Sequence, residues 1–215
     1  MAHELLEHSY ADAALGRGEP PRDGDGASWG DRGDGRDGVL GDTTRVGLFA
    51  FLGTVTMLFI GFTSALIFRR ASPDWQPLRA PSLLWLSSGA LVASSVALET
   101  ARRRLRALDL RGSEAWTWLT GALGASFVAA QFLAWRQLAA AGVFLATNPS
   151  SSFFYLLTGV HIVHVLGGLI WFGVVALRLR RMAFAPGHDG LALFATYWHY
   201  LGALWLYLLF VMFEF

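Results

Sequence analysis

The stretch FFYLLTGVHIVHVLGGLIWFGVVAL, Phe153 to Leu177, contains no acidic residue and no arginine. A helix rises about 1.5 Å per residue, so roughly 20 such residues cross the hydrocarbon of a bilayer. Four more apolar stretches of similar length occur, at Val46–Phe68, Pro81–Glu99, Ala115–Leu138 and Ala192–Phe213. In lipid, only helices and closed barrels satisfy every backbone group, and continuous rather than alternating apolar runs select helices. Composition agrees. Of the 215 residues, 54% are hydrophobic and 15% charged, against roughly 25% charged in soluble domains. Nine Trp and sixteen Phe suit the aromatic belts of a membrane protein. The expected fold class is all-α: an integral membrane bundle of five transmembrane helices with a disordered polar N-terminal tail.

Two regions follow from this. Residues 1–44 form a Gly/Asp/Arg-rich tail with four Arg against ten acids, and residues 45–215 form the five-helix domain. The core of the tail, EPPRDGDGASWGDRGDGRDGVLGD (Glu19–Asp42), has almost nothing apolar to offset the entropy of ordering, so disorder is expected. Its RGDGRDG run has the look of an adhesion or cation-binding motif, but is read as part of a solvated linker. Residues 2–15 are expected as a short surface helix. Arginines gather at Arg32, Arg36 and Arg45, at Arg102, Arg103, Arg104, Arg106 and Arg111, and at Arg178, Arg180 and Arg181. Fewer lie on the other side, at Arg69, Arg70, Arg79 and Arg136. By the positive-inside rule the N-terminus is expected in the cytoplasm and the C-terminus outside. No basic stripe for nucleic acid is present. No internal repeat is visible, which counts against a transporter built from inverted halves.

Ionisable and amide side chains inside a membrane are costly, so each asks for a function. Glu99 and Arg136 lie near span ends, within snorkelling reach of the interface. Gln131, His161, His164 and His199 are the polar set expected to be buried. His161 and His164, at i and i+3, share one helix face with Thr158. Two readings stand. In one, the imidazoles ligate haem iron from facing helices; in the other, they are neutral and hydrogen-bonded at a helix interface. Small residues mark where backbones approach: Gly121, Gly124, Gly159, Gly168 and the serines at 87, 88, 94 and 95. The spans hold no carboxylate pair, no nucleophile beside a base and no Gly-rich phosphate loop. The absence of cysteine excludes thiol catalysis and thiolate metal sites.

These residues carry a resemblance. FFYLLTGVHIVHVLGGLIWF (Phe153–Phe172) resembles the signature of subunit III of haem-copper (cytochrome c) oxidases, approximately FF-x-x-TG-x-HG-x-HV-x-x-G. Thr158, Gly159, His161, His164, Val165 and Gly168 match, and Ile162 replaces the Gly after the first His. YWHYLGALWLYLLF (Tyr197–Phe210) is similar to the family's YWHF-x-D-x-x-W-x-x-L-F ending. RVGLFAFLGTVTMLF is similar to RLGMWLFLASE-x-MLF, Ser87-Ser88 to a paired-serine pattern, and Gln131 with Trp135 to Q-x-x-E-W. The resemblance runs from Arg45 to Phe215. Three family carboxylates are missing, with Val55, Ala134 and Gly202 in their places. The two extra N-terminal helices of seven-helix members are also missing, as in the short five-helix bacterial forms.

The resemblance implies a subunit with no catalytic, cofactor or metal site of its own, in the bacterial inner (plasma) membrane. Haems and copper are then expected in the partners: subunit I as the main contact, with subunit II and other oxidase subunits. Phospholipid is a further expected partner, and support of stability and proton uptake the expected role, the lost acids weighing against a proton antenna. Gln131, Thr158, His161, His164, Gly168, Trp198 and His199 are expected to make helix-packing, lipid or subunit I contacts. Alternatives are a subunit III-like protein of a quinol oxidase or nitric oxide reductase, a stand-alone haem-binding membrane cytochrome, and a small transporter.

Overall fold

The computed structural model describes residues 34–78, 81–180 and 190–214. The expectations for residues 2–15 and for the tail up to residue 33 lie outside the described residues, as do Arg79 and Arg181. Five long helices follow one another: α1 (Asp34–Arg70), α2 (Ser82–Arg106), α3 (Leu110–Ala140), α4 (Pro149–Arg180) and α5 (Gly190–Leu209), the last closing in a π-helical turn, Phe210–Glu214. All five are long and apolar enough to cross a membrane, so the chain is an all-α membrane protein. By its contacts the chain divides between Asp37 and Gly38. Of the first unit, Asp34–Asp37 is described, as helix.

In the second unit α2 packs on α3, α3 on α4, α4 on α5 and α5 back on α2, closing a four-helix ring. α1 meets α4 and α5 more loosely: Phe51 and Phe59 contact the His164 ring, Thr56 bonds Tyr200, and Val55 and Phe59 pack on Leu157, Leu204 and Leu208. Only 22% of its apolar window is buried, against 39% for each other span. Leu, Ile, Val and Phe side chains cover the outer surface of the bundle, the distribution expected when the solvent is lipid.

The helices outrun the apolar runs that define them. α2 continues past Glu99 to Arg106, because Glu99 holds Arg102 at 2.8 Å and Arg103 at 3.5 Å one turn on, carrying the helix into the headgroup layer. The turn to α3 therefore shrinks to Ala107–Asp109. Leu108 sits there at φ 60°, and Asp109 caps α3 by accepting the Gly112 N–H at 2.9 Å. At the opposite end Gly142 (φ 76°) closes α3. Asn148 starts α4: its Oδ1 accepts the Ser151 N–H while Ser151 Oγ accepts the Asn148 N–H, with Pro149 at the first helical position.

Candidate functional site in the bundle interior

The inner face of α2 is a ladder of serines, and each rung receives a donor from another helix. Ser87 Oγ accepts from Gln131 Nε2 of α3 at 2.8 Å, Ser88 Oγ from Trp205 Nε1 of α5 at 2.9 Å, and Ser94 Oγ from Trp198 Nε1 of α5 at 3.0 Å. Each hydroxyl also donates, Ser87 and Ser88 to the Leu84 carbonyl and Ser94 to the Thr120 carbonyl of α3. A hydroxyl has one proton and two lone pairs, so each serine both donates and accepts, and Ser94 ties α3 and α5 to α2 at one atom. In hydrocarbon such bonds are the means by which polar groups are tolerated.

Two tryptophans lock the ring. The Trp198 indole lies between two glycines: a Cβ on Gly124 of α3 would sit 2.8 Å from its ring carbons, and one on Gly168 of α4 at 3.3 Å. Trp205 is fully buried, stacks on His161 (centroids 5.1 Å apart, planes at 27°) and meets Phe127 edge-on. Sequence reasoning found the glycines and serines as a small face but not their partners. The signal was present in the spacing, since Trp198 and Trp205 are seven residues apart and face one way.

The expected polar set divides in two. His161 and Gln131 are fully buried, whereas His164 and His199 are only partly so. Both ring nitrogens of His161 and Gln131 Oε1 make no hydrogen bond; the imidazole is held by rings instead, Trp205 on its face and Phe127 and Phe59 edge-on. His164 Nδ1 bonds the Val160 carbonyl of its own helix at 2.7 Å, and its own carbonyl accepts from Tyr197 OH. Thr158 Oγ1 donates to the Phe154 carbonyl and accepts from Trp135 Nε1 at 3.1 Å, joining α3 to α4. His199 is half-buried near Glu99 and Arg102, apart from the other two imidazoles. Among the described residues no three His, Cys, Asp or Glu gather where a metal ion would sit.

Three positions that lack a carboxylate are accounted for by packing. Val55 joins an apolar cluster with Phe59, Leu157, Leu204 and Leu208. Ala134 is fully buried, and a Cβ on Gly202 would lie 3.7 Å from Ser95 Oγ.

The family model for cytochrome c oxidase subunit III matches residues 40–215. The chain belongs to this family. It is 33% identical over 178 residues to cytochrome c oxidase subunit 3 of Synechocystis sp., covering 78% of this chain and 73% of that protein. It is 31% identical over 173 residues to the subunit 3 of Thermostichus vulcanus, covering 78% and 85%. Quinol oxidase subunit 3 of Bacillus subtilis is 27% identical over 168 residues, covering 76% and 82%. As a subunit III, the chain is an accessory component of a haem-copper oxidase, and the serine ladder, the two tryptophans and His161 form the interior of that subunit.

Proposed function

We propose that this chain is the non-redox accessory subunit of a bacterial haem-copper cytochrome c oxidase in the aerobic respiratory chain. It packs on subunit I, with subunit II and the other subunits beyond, and supports their stability, phospholipid environment and proton uptake. Haems and copper reside in the partners. It spans the inner membrane with its N-terminus in the cytoplasm and its C-terminus outside, the orientation favoured by the arginines. Gln131, Thr158, Gly168 and Trp198 act as packing groups between helices. His161 fills the core as an aromatic, His164 packs in the seam between α1 and α4, and His199 serves as a lipid or subunit I contact.

The observation that carries this reading is the family match across residues 40–215, and the interior is consistent with it. Its buried hydroxyls and indoles bond to one another, and the carboxylates that a proton antenna needs are replaced at Val55, Ala134 and Gly202. The test is purification through a tag on this chain. A haem-bearing partner is expected to co-purify, and the chain expressed alone is expected to be colourless. A Soret band on the isolated chain would overturn the reading in favour of a stand-alone cytochrome. A second reading, a quinol oxidase subunit, rests on the likeness to the Bacillus subtilis protein. Oxygen consumption by the complex with reduced cytochrome c or with quinol separates the two.

A further inference from the structure

Between α1 and α5 lies an open groove of about 420 Å3, within the ~300–1,000 Å3 of small-molecule sites. Its walls carry three rings, Phe59, Tyr200 and Tyr207, with Thr56, Ile60 and Ala203 around them. The hydroxyls there have a fixed order. Thr56 Oγ1 donates to the Leu52 carbonyl at 2.7 Å, so at its 2.7 Å contact with Tyr200 it accepts the phenolic proton. Thr63 Oγ1 donates to the Phe59 carbonyl at 2.9 Å and accepts from Tyr207 OH at 3.2 Å. Both phenols have thus spent their one proton within the protein, and what each still offers is lone pairs. Thr56 stands ten residues past Val46, the start of the apolar run. At about 1.5 Å per residue that is some 15 Å deep, the middle of a hydrocarbon layer roughly 30 Å thick.

We infer that this groove binds a quinol, its ring against the aromatic wall and one hydroxyl donating to the Tyr200 oxygen. Depth and hydrogen-bond polarity select this ligand together. A phospholipid keeps its polar head at the interface, and its acyl chains bring no donor to the middle of the membrane. A quinone does reach that depth, but its carbonyls only accept and meet no free proton on either phenol. A quinol brings O–H donors to the depth of Tyr200, and its flat apolar ring suits offset or edge-on contact with the three rings of the wall. Binding here transfers no electron, so it is independent of whether cytochrome c or quinol feeds the oxidase.

The test uses the detergent-solubilised complex, held without oxygen and with cyanide so that no turnover consumes the probe. Decyl-benzoquinol, the matching quinone and the quinol's dimethyl ether are offered in turn, and bound molecules are counted by native mass spectrometry. The quinol is expected to bind in preference to both others, which lack an O–H. Tyr200→Phe weakens it roughly fivefold, the loss expected of one neutral hydrogen bond. Ala203→Phe fills the groove and removes binding, while Tyr155→Phe, a phenol outside the groove, leaves it unchanged. A quinol site on a partner subunit is untouched by these variants, so the loss they cause reports this groove. Equal binding of quinol and dimethyl ether, or undiminished quinol in Tyr200→Phe, overturns the site. So does a photo-crosslinker at residue 203 that captures phospholipid or a polypeptide in the presence of quinol. Co-purification of haem is read separately, so failure of the oxidase reading leaves the quinol measurement intact.

Discussion

At the residue scale, the interior separates polar groups that bond from one that only packs. Trp198 donates to Ser94 from a slot between two glycines, so Trp198→Phe removes a buried bond and leaves a gap. A loss of about 1–2 kcal/mol is expected in the thermal unfolding of the purified complex. Gly124→Val fails for the opposite reason. Its new carbons meet the Trp198 ring where a Cβ alone already stands at 2.8 Å, and overpacking of this kind costs about 1–3 kcal/mol. His161 is the sharper case. Its nitrogens bond nothing and rings surround it, so His161→Phe is expected to match the parent within about 1 kcal/mol. His161→Ala, which opens a cavity, is expected to lose about 3 kcal/mol. Haem content stays at the parental value in both; its loss in His161→Phe would mean that the imidazole has a ligand role. Sequence reading placed His161 among helix-packing groups and expected its nitrogens to be hydrogen-bonded. Stacking was not legible, because it depends on Trp205 arriving from a helix some forty residues away.

At the scale of elements, the five spans were legible from hydropathy, since about 20 uninterrupted apolar residues leave lipid-crossing helices as the only economical fold. The helix ends were not, because they are set by charge pairs and caps rather than by apolar length. The turn between α2 and α3 shows the difference. Leu108 occupies a left-handed conformation that glycine adopts without strain, so Leu108→Gly is expected to stabilise the hairpin by about 1 kcal/mol. Next to it, the Asp109 carboxyl is held below its ordinary value, first by the Gly112 N–H and then by Arg104. A depressed folded-state value means that its contribution is present above the ordinary carboxylate range and fades as pH falls through the folded value. Asp109→Asn, which keeps a cap oxygen, is expected to flatten that acid-side loss in an unfolding series against pH. α1 is held by Thr56–Tyr200 and Thr63–Tyr207 bonds, pairs the sequence did not reveal because hydroxyls are ordinary on any apolar helix. A Thr56→Val, Tyr200→Phe double-mutant cycle is expected to give a coupling of about 0.6 kcal/mol, the usual value for a hydrogen bond between membrane helices.

At the scale of the whole molecule, the question is which surface depends on partners. The ring of α2 to α5 closes on itself, while α1 leaves most of its apolar face outward and touches the ring through Phe51, Val55, Phe59, a few hydroxyls and Arg70. His164 is where two of those rings meet the bundle, so His164→Ala loosens α1 without opening the core that Trp198 and Trp205 hold. The expected result is weaker retention of the catalytic partner during tag purification, with the haem content of whatever complex survives unchanged. Removing residues 1–33 tests a different dependence. That segment precedes every described helix and lies wholly outside the family match, which begins at residue 40. The truncated chain is therefore expected to recover the haem-bearing partner in parental yield. If the truncation lost the partner while His164→Ala kept it, docking would belong to the acidic N-terminal segment, and the aromatic seam between α1 and α4 would serve this subunit alone.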